Sequence, residues 1–164
     1  MPEPWIDALI VLGLLILANG APILARLLAG GREGRPVDGG RRAPDGRPWL
    51  GPSKTWRGIL AAVLLTPLAA WVLGEPALAG LLIGIGAMAG DLLASFVKRR
   101  MGIPSSGMAL GLDQIPESLL PLLLVEPLYR FGPWQLLAMV MLFLVAELVL
   151  SRILYALHIR KHPW

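Results

Sequence analysis

Five runs of apolar residues follow one another along the chain, separated by polar segments of very unequal length. The runs cover approximately residues 5–28, 58–73, 77–97, 117–129 and 133–157. A helix of about 20 apolar residues is long enough to span a bilayer. The pattern therefore predicts an all-α integral membrane protein with about five transmembrane helices, two long cytoplasmic loops and a single domain over residues 1–164.

The fourth run is the weakest of the five as a membrane span. Pro116, Pro121 and Pro127 interrupt it, and Glu126 lies within it. Proline removes a backbone hydrogen bond from a helix, and breaks at membrane depth persist only where protein or a wet cavity covers them. We expect a broken helix that its neighbours bury.

Basic residues are concentrated in the polar segments 30–57 and 98–117 and at Arg160 and Lys161, whereas the connection 74–76 has none. Because Lys and Arg favour the cytoplasmic side of a membrane, both long segments and the C-terminus are predicted to be cytoplasmic, with the N-terminus outside. We expect a multi-pass protein of the cell (inner) membrane whose active site faces the cytoplasm. Tryptophans near the predicted helix ends suit interface anchors; they are Trp5, Trp71, Trp134 and Trp164.

Composition supports the membrane assignment and removes some chemistry. Only 16% of the residues are charged, against ~25% in typical soluble domains. The chain contains no cysteine, so disulfides and thiolate metal sites are excluded.

Asp91 is the one charged residue in the apolar run 77–97. An acid inside a spanning helix is costly and is by default a functional-site candidate. Ser95, Lys98 and Arg99 follow it at helical spacing, so the four side chains share one face. A carboxylate, a hydroxyl and two cations on one stripe suit a phosphorylated ligand and a metal ion.

The first polar segment contains Asp38, Asp45 and a dense set of prolines and glycines before Lys54 and Arg57. A simpler interpretation is a polybasic loop held against anionic lipid headgroups, which explains the cations but neither the acids nor the turn residues. The segment lacks the spacing of a P-loop. Lys54 and Arg57 remain candidates for phosphate charge, because they lie at the start of the second helix, where backbone N–H groups favour anions.

Asp113 and Gln114 immediately precede the fourth run. We expect them to lie near the cytoplasmic end of the third run. Two carboxylates near the cytoplasmic end suit Mg²⁺ bridged to substrate phosphates. Two structural alternatives stay open: an ion pair of Asp91 with Lys98, Arg99 or Arg57, and an N-cap role for Asp113.

Two polar residues lie inside other apolar runs. Asn19 precedes Pro22, so its amide has two possible partners, the backbone that the proline frees or a ligand. Glu147, in the fifth run, favours an interhelical polar contact.

Taken in order, these segments resemble the CDP-archaeol synthase family, within the wider group of CTP-dependent lipid cytidylyltransferases. The resemblance covers nearly the whole chain. It rests on Leu17-Ala18-Asn19 with Pro22, Pro36-Val37-Asp38, Asp45-Gly46-Arg47, Lys54-Thr55-Trp56-Arg57-Gly58, Gly90-Asp91-Leu92 with Ser95 and Lys98-Arg99-Arg100, and Asp113-Gln114.

The resemblance implies transfer of a cytidylyl group from CTP to a membrane lipid phosphate of the archaetidic-acid type, with Mg²⁺ as cofactor and pyrophosphate released. The implied partners are CTP, the lipid phosphate and the bilayer, without nucleic acid; the oligomeric state stays open. Asp91 and Asp113 are the implied metal ligands. The implied catalytic cations are Lys54, Arg57, Lys98 and Arg99, and the implied substrate-binding residues are Asn19, Asp38, Asp45, Thr55, Ser95, Arg100 and Gln114.

Some details separate the branches of this group. Phosphatidate cytidylyltransferases usually carry Glu where this chain has Arg57, and a Gly-His-Gly-Gly stretch that is missing before Asp113. The related family pattern usually has an acid where this chain has Pro116, and Glu117 is the candidate substitute. An enzyme making CDP-diacylglycerol remains the alternative.

Other classes of membrane protein fit less well. A non-catalytic polybasic membrane protein that binds anionic lipid is the alternative from a different class. The signature of CDP-alcohol phosphotransferases is missing, because Asp38-Gly39 is not followed by Ala-Arg at the required spacing. A transporter is disfavoured because no internal repeat is visible.

Overall fold

The computed structural model describes residues 4–105 and 107–159 and is all-helical over them. The helices are α1 (Pro4–Leu28), α2 (Trp56–Val72), α3 (Ala77–Arg100), α4 (Gln114–Tyr129) and α5 (Pro133–Ala156). All five predicted helices are confirmed, each starting within three residues of its apolar run. Trp164, Arg160 and Lys161 lie outside the described residues.

Three of the helices, α1, α3 and α5, are long and apolar enough to cross a membrane, and α2 is a shorter apolar helix. Helix α4 has 16 residues, or about 24 Å at 1.5 Å per residue, which is less than the ~30 Å hydrocarbon core. A multi-pass membrane protein follows, while five complete spans remain a prediction.

The expectation of a broken fourth helix is wrong, because α4 is continuous from Gln114 to Tyr129. Pro116 falls in the first turn, where its missing N–H would have no helical partner anyway. Pro121 lies in the helix interior and is buried against α3. The helix begins at Gln114, three residues before the apolar run in the sequence.

Helix α3 lies at the centre of the bundle and packs against α1, α2 and α4. Its glycines allow this, since small residues let membrane helices approach closely. A Cβ on Gly80 would lie 2.5 Å from Pro67 of α2, and a Cβ on Gly86 would lie 2.6 Å from Pro121 of α4. The apolar core is formed mainly by α1, α3, α4 and α5, with Val11, Leu15, Ile83, Leu122 and Phe143 among its fully buried members.

Two long loops lie at one end of the bundle. Loop 1 (residues 29–55) joins α1 to α2, and loop 2 (residues 101–113) joins α3 to α4. Two isolated bridges, Pro36 with Thr55 and Arg42 with Pro48, fold loop 1 back on itself. At the opposite end, Tyr129 donates a 2.6 Å hydrogen bond to Glu75. The basic polar segments predicted to share one side of the membrane therefore do share one end of the molecule.

Candidate active site

An ion pair between Lys54 and Asp91 joins loop 1 to the middle of α3. Lys54 is held there because the next residue, Thr55, is the N-cap of α2 and accepts a 3.2 Å hydrogen bond from the Gly58 N–H. Burial acts to lower the pKa of the Lys54 ammonium group, but the charges of Asp91, Glu117 and Asp113 and the hydrogen bond to Asp91 together outweigh that effect and raise it. The pair is therefore a charged one. Its lysine differs from the three cations predicted as structural partners of Asp91.

A second pair, Lys98 with Asp113, joins the end of α3 to the start of α4 at 2.5 Å. Lys98 also donates to the Gly107 carbonyl at 3.0 Å, and the other Asp113 oxygen accepts the Ala109 N–H at 3.0 Å. Asp113 occupies the N-cap position of α4 but makes no side-chain capping bond. Its carboxylate thus serves loop 2 and Lys98, and the N-cap alternative is wrong.

Glu117 of α4 is buried, and its carboxyl group lies within hydrogen-bonding distance of the Asp91 carboxyl group. Gly90 makes this possible, since any Cβ there would overlap the Pro116 carbonyl group. Glu117 was considered from the sequence only as a substitute for the missing family acid. The close approach at Gly90 was not visible in the sequence.

The five side chains Lys54, Asp91, Lys98, Asp113 and Glu117 form one group, called the charged cluster below. Lys54 interacts electrostatically with all three acids, and Asp91 also interacts with Lys98. Glu147 of α5 also interacts electrostatically with Glu117, and its interhelical polar contact stays a prediction. Three carboxyl groups thus face two ammonium groups in a largely buried site.

The charged cluster fits a divalent cation that substrate phosphates help to hold. Two carboxyl groups at hydrogen-bonding distance, such as those of Asp91 and Glu117, repel each other unless a proton or a cation lies between them. Within the described ranges, no three His, Cys, Asp or Glu side chains form a metal site by themselves. Mg²⁺ commonly binds one or two carboxylates and completes its shell with water and phosphate oxygens.

Arg99 and Ser95 line the same side of α3 as Asp91, and both are buried. Arg99 donates a 2.8 Å hydrogen bond to Ser105 of loop 2. The Ser105 hydroxyl in turn packs against Gly51 of loop 1, where a Cβ would overlap it. The polar side chains predicted to share one face of α3 do so. Through Ser105, Arg99 links this face to both loops.

Arg100 connects loop 1 to the end of α3 through an exposed set of contacts, called the Arg100 clamp below. Its guanidinium group donates at 2.6 Å both to the Asp45 carboxylate and to the Pro48 carbonyl group. It also lies 5.8 Å from the ring centre of Trp49, which stacks on Phe96. The N–H of Arg47, together with the Arg100 charge, lowers the pKa of Asp45.

Asp38 organises loop 1 from within. Its carboxylate accepts N–H groups of Gly40 at 2.9 Å and of Leu50 and Gly51 at 3.0 Å. Burial opposes ionisation of Asp38, but these N–H groups outweigh it and lower its pKa. Asp38, Asp45 and Arg100, all predicted to bind substrate, are therefore engaged within the protein.

The other predicted site residues lie around the charged cluster or beside it. A small cavity of about 20 Å³ is lined by Lys54, Thr55 and Asp91, with Pro22 of α1. Asn19, one turn before Pro22, donates to the Leu15 carbonyl at 3.0 Å rather than to the Ala18 carbonyl that Pro22 frees.

The side chains of two further predicted residues form hydrogen bonds to the loops that precede their helices. Arg57 donates to the Arg32 carbonyl group in loop 1. Gln114 accepts the Gly111 N–H at 2.9 Å in loop 2. Their side chains are thus placed at the edges of the loops that surround the cluster.

Comparison with known proteins gives a consistent assignment. A family model described as CarS-like, CDP-archaeol synthase, matches residues 71–164. A CDP-archaeol synthase of Thermococcus gammatolerans is 34% identical over 90% of this chain and 89% of its own length. One of Hyperthermus butylicus is 44% identical over 61% of this chain and 60% of its own length.

The chain belongs to the CDP-archaeol synthase family. A solved structure of an intramembrane enzyme for archaeal membrane lipids biosynthesis agrees, with 34% identity and a TM-score of 0.76. The match covers 89% of this chain and 93% of that one. The family predicted from the short motifs is thereby confirmed, as is the multi-pass membrane fold.

Proposed function

We propose that this chain forms CDP-archaeol from archaetidic acid and CTP, and that the charged cluster is the centre of the reaction. The family gives the reaction. The observation that supports the location is the buried group of three acids and two lysines at the loop end of a membrane bundle. Burying ionised groups in a membrane protein is costly even when they are paired, which favours a role in chemistry over one in stability.

The lipid phosphate supplies its own nucleophile. A phosphate monoester has a second pKa of ~6, so most of it is dianionic at neutral pH and needs no side-chain base. One of its oxygens forms a bond to the α-phosphorus of CTP, while the bond between that phosphorus and the α–β bridging oxygen breaks. Pyrophosphate leaves with that electron pair.

The protein contributes mainly charge neutralisation and alignment, because two anions must approach each other. We assign Lys54, Lys98 and Arg99 to the triphosphate and the lipid phosphate, since all three project from the walls of the site. Arg57 is the fourth proposed cation, by resemblance. Ser95, Thr55, Asn19 and Gln114 remain predicted substrate-binding residues, and Asp38, Asp45 and Arg100 are proposed to shape loop 1.

Asp91, Asp113 and Glu117 are the residues we propose for Mg²⁺. When bound, the ion would offset negative charge on the CTP phosphates. Meanwhile Lys54 and Lys98, which neutralise these carboxylates in the structure, would turn toward substrate oxygens. Lys54 and Lys98 would thus neutralise the carboxylates when the site is empty and the substrate phosphates when CTP and the lipid are bound.

The test is turnover by the purified protein in detergent with labelled CTP and Mg²⁺. We expect a CDP-lipid and pyrophosphate in equal amounts from archaetidic acid, and a lower kcat/KM for phosphatidic acid when the two lipids compete. A higher value for phosphatidic acid would support the diacyl alternative. No CTP consumption with either lipid would support the non-catalytic polybasic protein.

We also propose that the loop end faces the cytoplasm of the cell, where CTP is available. The basis is the concentration of Lys and Arg in loops 1 and 2. Reporter fusions at Pro76 and at the C-terminus are expected on opposite sides of the membrane. Detection of both on one side would contradict five spans and the cytoplasmic site.

A further inference from the structure

The arginines of loop 1 fall into two groups. Arg42 and Arg47 donate to backbone carbonyl groups, those of Gly46 at 2.9 Å and Arg100 at 2.6 Å, and so hold the loop together. The side chains of Arg35 and Arg41, like that of Arg32, have no hydrogen bond or ion pair with any residue in the described ranges, although their backbones are hydrogen-bonded. The exposed guanidinium groups of this second set are therefore available to something outside the chain.

Arg35 and Arg41 line the same open basin, whose volume is about 450 Å³. This volume lies within the ~300–1,000 Å³ typical of small-molecule sites. Trp49 and Trp56 line it too, together with residues 36–39. The basin thus combines two unpaired cations with two indole rings.

The basin is separate from the charged cluster. The cavity beside the cluster is lined by Lys54 and Asp91, and the basin shares no lining residue with it. Trp56 is the first residue of α2 and is 51% exposed, so it marks the level at which the chain enters its apolar segment. Tryptophan side chains favour that interfacial level of a membrane.

Asp38 is the one acid in the lining, and its charge is already engaged. Three N–H groups of loop 1 donate to its carboxylate. Its ionised carboxylate offsets part of the charge, but the two arginines still leave the lining with a net positive charge, and their planar fork is suited to phosphate oxygens.

We propose that this basin is an accessory site for the phosphate group of an anionic membrane lipid, distinct from the site of cytidylyl transfer. Arg35 and Arg41 bind the phosphate, and Trp49 and Trp56 pack beside the glycerol and the first chain carbons. A bound headgroup holds loop 1 against the membrane surface. The ligand needs a phosphate group but not a phosphate monoester that can attack CTP. A phosphodiester lipid is therefore bound without being a substrate.

The test measures binding rather than turnover. Short-chain phosphatidylglycerol is titrated by calorimetry into the full chain in neutral detergent, first without CTP and then with saturating CTP present. We expect saturable binding, weakened about fivefold by Arg35→Gln and by Arg41→Gln, and about 25-fold by both together, as ~1 kcal/mol per basic residue predicts. Arg32→Gln is the matched control, because Arg32 is an equally exposed cation of loop 1 outside the basin; it should bind as the parent protein does.

Three results would overturn the proposal. Equal weakening by Arg32→Gln would show a diffuse polybasic effect. Loss of binding when CTP is added would place the basin in the nucleotide site. Binding of inorganic phosphate with the same affinity as the lipid, and in competition with it, would show that the site takes a free anion rather than a headgroup.

Discussion

The charged cluster and the Arg100 clamp use the same kinds of side chain on neighbouring turns of α3, yet water reaches them differently. The ion-paired side chains of the cluster are 10–21% exposed, whereas those of Arg100 and Asp45 are 27% and 41% exposed. An exposed ion pair contributes ~0–1 kcal/mol, but removing one partner of a buried pair leaves an uncompensated charge. Burial thus separates residues suited to chemistry from residues that fasten a loop.

The largest expected effect comes from removing a carboxylate charge from the cluster. Asp91→Asn and Asp113→Asn should each reduce kcat by roughly 10²–10³-fold or more, because a proposed metal ligand and phosphate-site charge is lost. The measurement is pyrophosphate release against Mg²⁺ concentration, with thermal unfolding as the folding control. Activity near that of the parent protein in either variant would make that acid a structural residue.

The second prediction tests whether Glu117 belongs to the functional part of the cluster. Glu117→Gln should reduce kcat/KM about 10–100-fold and raise the Mg²⁺ concentration needed for half-maximal activity, as loss of a group supporting a metal site does. Glu126→Gln is the matched control, since Glu126 lies in the same helix outside the cluster. Equal behaviour of the two variants would remove Glu117 from the site.

The Arg100 clamp should respond more weakly and in a different parameter. Arg100→Gln should raise KM for CTP a few-fold with kcat nearly unchanged, since its exposed contacts to Asp45 and Pro48 are lost and loop 1 loosens. Limited proteolysis of loop 1 should accelerate in parallel.

Asp45→Asn completes a double-mutant cycle with Arg100→Gln. The effects of the two substitutions should be less than additive, because the residues share one contact. A fall in kcat as large as that of Asp91→Asn would show that the clamp takes part in chemistry.

The smallest effect is expected at the opposite end of the bundle. Tyr129→Phe removes one hydrogen bond to Glu75 and should lower the free energy of unfolding by ~1 kcal/mol. Turnover should stay unchanged, because the contact is at the end of α4 remote from loops 1 and 2. Reduced turnover at unchanged stability would contradict the assignment of function to the loop end alone.

The sequence by itself determined the helices and the family. Hydropathy is a local property, so an apolar run of sufficient length predicts a membrane helix wherever the helix packs. The motif around Asp91 depended only on helical spacing, which placed Ser95, Lys98 and Arg99 on one face. The break predicted in α4 was incorrect, because the effect of a proline depends on its position in the turn and on the neighbour that covers it.

Only the tertiary structure decided which charges meet. Lys54 and Asp91 are 37 residues apart, and no local pattern indicates that loop 1 brings one to the other. Glu117 reaches Asp91 because Gly90 and Pro116 allow α3 and α4 to touch at their backbones. Likewise Arg35 and Arg41 look like the other arginines of loop 1 until folding engages Arg42 and Arg47 with carbonyl groups. Pairing between distant residues depends on how whole helices and loops pack against one another. That packing depends on residues along the whole chain, so no single short motif predicts it.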